Sequence, residues 1–139
     1  MTTQPANQAS LIPDSYEDLL RSKSLAHVAT IGPHGEPQVN PVWFSWDGQN
    51  LRFSQTKTRQ KLRNIEREPR VALSIVDLVN PYRYLEIRGV VVEVADDSNN
   101  EFINSLAKKY MDQDIYPWNQ PDDERIVVVV RPQHTTQMG

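Results

Sequence analysis

The chain contains no cysteine. Disulfides, thiolate zinc sites and cysteine nucleophiles are therefore excluded, and the absence fits a reducing cytoplasm. Histidine is almost as scarce: His27, His34 and His134 are scattered, and no two have the helical or hairpin spacing of metal ligands. No Gly-x-Ser-x-Gly, Walker or Gly-x-Gly-x-x-Gly pattern is present, so no residue is marked as a catalytic nucleophile or acid–base group. No window approaches the roughly 18 apolar residues of a membrane span. Residues 1–12 are polar, without a basic region or an apolar run, and read as a tail and not as a signal peptide. A net charge of −3 argues against a general nucleic-acid coat.

What is present is unevenly distributed. Between Lys57 and Arg70 lie six cations against Glu66 and Glu68; between Glu93 and Glu124 lie nine acids against Lys108 and Lys109. The length fits one domain, expected over 13–135, with a short C-terminal tail at 136–139.

Along the chain, Asp14 and Ser15 precede a short helical pattern carrying Tyr16, Leu19 and Leu20. Strands are expected at 25–31, 38–46, 51–55, 71–76, 84–94 and 125–131. The Gly- and Pro-rich stretch 32–37 and Asp47-Gly48 mark tight connections between antiparallel neighbours. Pro41 within its strand predicts an edge or a bulge, and Gly89 predicts a bend in a long strand. Helices are expected from about Thr58 to Arg67 and from Asp97 to Met111, the second capped by Asp97 or Ser98. Six short, mostly antiparallel strands with two or three helices predict a mainly β barrel of α+β character.

Thr56 to Arg63 carries the chemistry. Lys57, Arg59 and Lys61 crowd the start of a helix, where the macrodipole favours carboxylates by roughly 0.3–1 kcal/mol each. A bound anion reverses that penalty, because free backbone N–H groups and cations then converge on it. A solvated basic helix face explains the same composition equally well. The strand before it carries Trp43, Phe44 and Trp46, which suit either core packing or an apolar slot for a flat ring. Together the two features favour a nucleotide-like ligand anchored by its phosphate.

Three segments then show a resemblance. Ala29-Thr-Ile-Gly-Pro-His-Gly-Glu-Pro-Gln-Val-Asn-Pro-Val-Trp-Phe44, Thr58-Arg-Gln-Lys-Leu-Arg-Asn-Ile-Glu-Arg-Glu-Pro-Arg-Val-Ala72 and Tyr84-Leu-Glu-Ile-Arg-Gly89 stand in the order and spacing of the pyridoxamine 5′-phosphate oxidase-like split barrels. The chain resembles most the flavin/deazaflavin oxidoreductases that use coenzyme F420. The resemblance spans about Ser15 to Gln133. It implies a six-stranded antiparallel split barrel, homodimeric, with cofactor sites between subunits. It further implies that Arg59 and Lys61 hold the cofactor phosphate, with Arg63 nearby and Ser54, Gln55, Thr56 and Lys57 lining the approach. Pro41, Val42 and Trp43 would support the ring, and Ile75, Asp77, Tyr82 and Arg83 would come from the partner subunit. Such enzymes transfer hydride without an essential acid–base residue. Coenzyme F420 and FMN both carry a phosphate on a ribityl-type chain, so FMN is the alternative cofactor, and a non-catalytic carrier is the alternative role. The segment from Tyr110 to Pro121, with Trp118, is expected to line the pocket for a conjugated or quinone-like small-molecule substrate.

Overall fold

The computed structural model describes residues 11–139. A 3₁₀ turn, Asp14–Tyr16, runs into helix α1, Glu17–Arg21; Tyr16, Leu19 and Leu20 are buried, as their spacing predicts. Seven strands follow, not six: β1 Ala26–Ile31, β2 Pro37–Val42, β3 Phe44–Trp46, β4 Leu51–Thr56, β5 Arg70–Val76, β6 Tyr84–Asp96 and β7 Arg125–Met138. Helix α2, Gln60–Arg67, connects β4 to β5, and helix α3, Glu101–Met111, connects β6 towards β7. All ladders are antiparallel, and the sheet order is β2-β1-β5-β6-β7-β4-β3.

The extra strand comes from a break inside the expected strand 38–46. Pro37–Val42 pairs with β1, whereas Phe44–Trp46 pairs with β4. These are the two outer edges of the sheet, and Trp43 alone lies between them. The sheet therefore curls until its edges meet at one corner, yet no ladder among the described residues joins β2 to β3. Pro41 lies on an edge strand, where its missing N–H costs no ladder bond.

The second corner lies in β6. Its register with β7 shifts between Arg88 and Gly89 and again between Val91 and Glu93. A Cβ on Gly89 would stand 2.5 Å from the Arg131 carbonyl oxygen, so only glycine allows the two strands this approach. Beyond it β7 continues to Met138, and residues 136–138, expected in a tail, pair with β6. Ile12, also expected in a tail, is buried in the core; residues 1–10 lie outside the described part.

The core is built by period-2 alternation. Val28, Phe44, Leu51, Phe53, Leu73, Ile75, Leu85, Ile87, Val128 and Val130 are fully enclosed. On β4 this inward row changes character: Leu51 and Phe53 are followed by Gln55. The apolar interior stops there, and a polar cavity begins.

Candidate cofactor site

The cavity has a volume of about 570 Å³, within the range of small-molecule sites. β2 and the corner supply Asn40, Pro41, Val42 and Trp43; β4 supplies Ser54, Gln55 and Thr56; the start of α2 supplies Arg59, Gln60 and Lys61. Ile103 and Leu106 of α3, then Tyr116, Trp118 and Arg125, complete the wall. Three of these side chains are cations, and none is an acid.

Helix α2 begins two residues later than the charge pattern suggests, at Gln60, with Arg59 as an extended N-cap that makes no side-chain capping bond. Its first turn holds no acid, so nothing within the helix offsets the positive end of its dipole. The helix is anchored from its inner face. Asn64, fully buried, donates to Thr30 Oγ1 at 3.0 Å and to Gln38 Oε1 at 3.2 Å, and accepts from Gln60 at 2.8 Å. Gln38 in turn donates to Asn40 at 2.7 Å. This network ties α2 to β1 and β2 and sets three amides, Gln38, Asn40 and Gln60, on the cavity wall.

Lys61 is the unusual member. It is only 7% exposed, and no carboxylate pairs with it among the described residues. The face of Phe53, 5.8 Å from Nζ, is its near neighbour. Burial, with a smaller contribution from the Arg59 charge, pulls its pKa from 10.5 down to about 8. An unpaired buried cation is costly, and a bound anion removes that cost. The fit to a phosphate rests on this residue. Arg59 is exposed at the cavity mouth, free to close over the same group.

The aromatic side is equally specific in geometry. Trp43 stacks on Tyr110 with centroids 5.0 Å apart and planes 5° from parallel. Tyr116 meets Trp43 edge-on at 5.8 Å, and Trp118 lies 6.2 Å from Trp43 and 5.7 Å from Tyr116. The corner itself is clamped by α3. The Phe44 N–H donates to Tyr110 Oη at 3.2 Å, and Lys109 Nζ donates to the Phe44 carbonyl at 2.7 Å. Tyr110 also donates to the Ser24 carbonyl at 2.8 Å, and burial raises its pKa to about 12.

Eight of the sequence-predicted site residues meet on this cavity: Pro41, Val42, Trp43, Ser54, Gln55, Thr56, Arg59 and Lys61. Lys57 does not line it; its ammonium lies 3.5 Å from Asp96 and 3.7 Å from Glu124. Nor does Arg63, which folds back on Gln60 Oε1 and the Thr58 carbonyl. The side chain of Ile75 is enclosed in the core of its own chain. Arg83 is ion-paired with Asp77 at 2.8 Å and Asp18 at 2.6 Å, while Tyr82 is 78% exposed. These four do not line the cavity of the same chain. Tyr116 and Trp118 line the cavity from within the segment 110–121 where pocket residues were expected, whereas sequence reasoning missed Arg125 and the Gln38–Asn64 network. Only the polar residues at inward strand positions signalled that network.

A family model described as pyridoxamine 5′-phosphate oxidase matches residues 12–139. The chain belongs to this family. Among solved structures, an F420 reductase is 44% identical, with a TM-score of 0.82 over 90% of this chain and 98% of the other. A conserved hypothetical protein from Mycobacterium tuberculosis is 23% identical, with a TM-score of 0.72 over 99% and 89%. General Stress Protein 26 from Bacillus anthracis is 16% identical, with a TM-score of 0.67 over 90% and 92%. The last two are similar in fold alone. No curated protein matches the chain. Family membership makes the chain a split barrel of the flavin oxidoreductase type, and none of its described helices is long and apolar enough to cross a membrane.

Proposed function

We propose that the protein is an F420H2-dependent reductase that delivers a hydride to a small conjugated or quinone-like molecule. The observation that carries this reading is Lys61, a buried cation without an anionic partner, on a cavity that has no acidic side chain. The 44% identity to an F420 reductase over nearly the whole of both chains supports the deazaflavin as the ring. Lys61 and Arg59 hold the cofactor phosphate, and the hydroxyls of Ser54 and Thr56 add donors along the approach. Coenzyme F420 also carries an acidic oligoglutamate tail, which Lys57 and Arg52 reach only by leaving their present carboxylate partners. Pro41, Val42 and Trp43 support the ring. In a cytoplasmic homodimer Asp77, Tyr82 and Arg83 of one subunit stand beside the cofactor of the other, while Ile75, enclosed in its own core, supports that segment from behind.

The reduced deazaflavin supplies the hydride. The chain's own residues orient and exclude water: Trp43 is stacked on Tyr110, Lys109 holds the neighbouring Phe44 carbonyl, and Tyr116 and Trp118 shield one side of the cavity. No acid–base residue is required, in keeping with a wall without carboxylates or histidines.

FMN is the second reading, favoured by the family's namesake chemistry and by a phosphate site that serves either cofactor. Fluorescence titration separates the two. F420 is expected to bind tightly and FMN more weakly, and Arg59→Ala is expected to weaken F420 binding by about 1.5–3 kcal/mol. Tight FMN binding without any F420 response would sink the proposal. If F420H2 is bound but not oxidised by any of a panel of enones and quinones, the protein is a carrier.

A further inference from the structure

The phosphate reading uses two of the three cavity cations, and Arg125 is the third. It is the first residue of β7, directly across from Thr56 of β4. Its guanidinium is held by neutral groups. Nε–H donates to Asn119 Oδ1 at 2.7 Å, an Nη1–H donates to Ser54 Oγ at 3.2 Å, and the ring of Tyr116 lies 4.7 Å from Cζ. A guanidinium has five N–H donors, so three remain, all on Nη1 and Nη2.

The missing acid is the informative part. Arg52, Arg70, Arg83 and Arg88 each pair with a carboxylate. Arg21, Arg59, Arg63, Arg67 and Arg131 pair with none among the described residues but are exposed, whereas Arg125 is half-buried. Arg125 follows the most acidic stretch of the chain and pairs with none among the described residues. Its sequence neighbours are engaged elsewhere: Glu124 with Lys57, and Asp123 with the Gln120 N–H at 2.9 Å. Neutral partners fix the direction of the guanidinium without cancelling its charge. Beside it stands an aromatic cluster of Trp43, Tyr116 and Trp118, in which Tyr116 is edge-on to both tryptophans.

We propose that Arg125 is a specificity-determining residue, which takes the carboxylate of a planar conjugated substrate whose ring lies against the Trp43–Tyr116–Trp118 cluster. The proposal rests on the reading that Lys61 and Arg59 hold the cofactor phosphate, which leaves the Arg125 end of the cavity to the substrate. A planar fork with parallel N–H groups matches a carboxylate, and a neighbouring aromatic wall matches a conjugated ring carrying it.

The test uses the whole chain without cofactor, reads intrinsic tryptophan fluorescence, and employs 2-naphthoate and its uncharged methyl ester as probes. The naphthoate is expected to bind about tenfold or more tightly than the ester, the scale of one charge-assisted contact. Arg125→Gln is expected to reduce that preference to about twofold or less, whereas Lys61→Ala keeps most of it. A wild-type protein without preference, or a preference that disappears with Lys61 and survives loss of Arg125, overturns the proposal. A second arm titrates F420. Arg125→Gln is expected to change F420 affinity by less than about threefold, while a loss of about tenfold assigns Arg125 to the acidic tail of the cofactor and overturns the proposal. Failure to bind F420 at all defeats the reductase reading, and the naphthoate arm still decides whether Arg125 selects carboxylates. Should Arg125→Gln not fold, Ser54→Ala and Asn119→Ala retain the charge but release the guanidinium. Both are expected to weaken naphthoate binding several-fold, and unchanged binding in both overturns the proposal.

Discussion

Two lysines in this chain, one buried and one half-buried, are shifted alike, yet their surroundings differ. Lys61, at the start of α2, and Lys109, near the end of α3, are each pulled by burial to a pKa of about 8. Lys109 is internally satisfied: its Nζ donates to the Phe44 carbonyl at 2.7 Å and lies over the rings of Phe44 at 4.3 Å and Tyr110 at 4.8 Å. Lys61 has the single ring of Phe53 at 5.8 Å and otherwise faces the cavity. The first cation belongs to the architecture, holding the corner that presents Trp43. The second faces the cavity without an anionic partner among the described residues, and on the proposed reading that partner is the cofactor phosphate. A depressed pKa alone does not mark a site; a depressed pKa with no partner on a cavity wall does.

The sharpest test of this contrast is binding. Lys61→Ala is expected to weaken F420 binding by about 1.5–3 kcal/mol, and Lys109→Met to leave it within about 0.5 kcal/mol, both by fluorescence titration. Equal losses would erase the distinction between the two lysines.

Stability should divide them in the opposite sense. In urea unfolding of the ligand-free protein, Lys109→Ala is expected to cost about 1–2 kcal/mol through the lost hydrogen bond and stem packing. Lys61→Met is expected to raise stability by about 1–2 kcal/mol, because it removes an unpaired buried charge and keeps the volume. A destabilised Lys61→Met protein would mean that Lys61 has an internal partner after all.

The smallest expected effect is in pH. Lys61 carries its charge below about 8 and loses it above, so phosphate-anchored binding should be tightest below about 8 and weaken by at most about tenfold per pH unit as pH rises. Lys61→Arg should flatten that dependence, because arginine does not titrate in this range. The fold responds with the other sign. The unfolded lysine titrates near 10.5, so the unfolded chain binds more protons between about 8 and 10.5. Ligand-free stability attributable to Lys61 should therefore rise across that window. A binding profile that stays flat in the wild type would remove Lys61 from the phosphate site.

Much of this arrangement was legible in the chain, for reasons that differ by residue. The strands showed themselves through alternation, Pro41 through its missing donor, and Gly89 through the contact that no Cβ permits. The corner at Trp43 was hidden. Alternation continues unbroken through Val42, Trp43 and Phe44, and no glycine marks the change from one sheet edge to the other. Arg125 was hidden too, because an arginine at the end of an acidic loop looks like a solvated ion pair until β7 is laid beside β4.

Spacing and residue type by themselves determined the strand segments apart from the break at Trp43, and the basic start of α2, because each is a property of neighbouring residues; the family resemblance singled out Arg59 and Lys61 within it. Tertiary structure decided the rest. Lys61 and Lys109 are the same residue, one in the first turn of its helix and the other in the last. Which is satisfied depends on what folding brings beside it: the Phe44 carbonyl for one, an open cavity for the other. Burial and partnership are set by contacts between distant segments, and no local pattern encodes them.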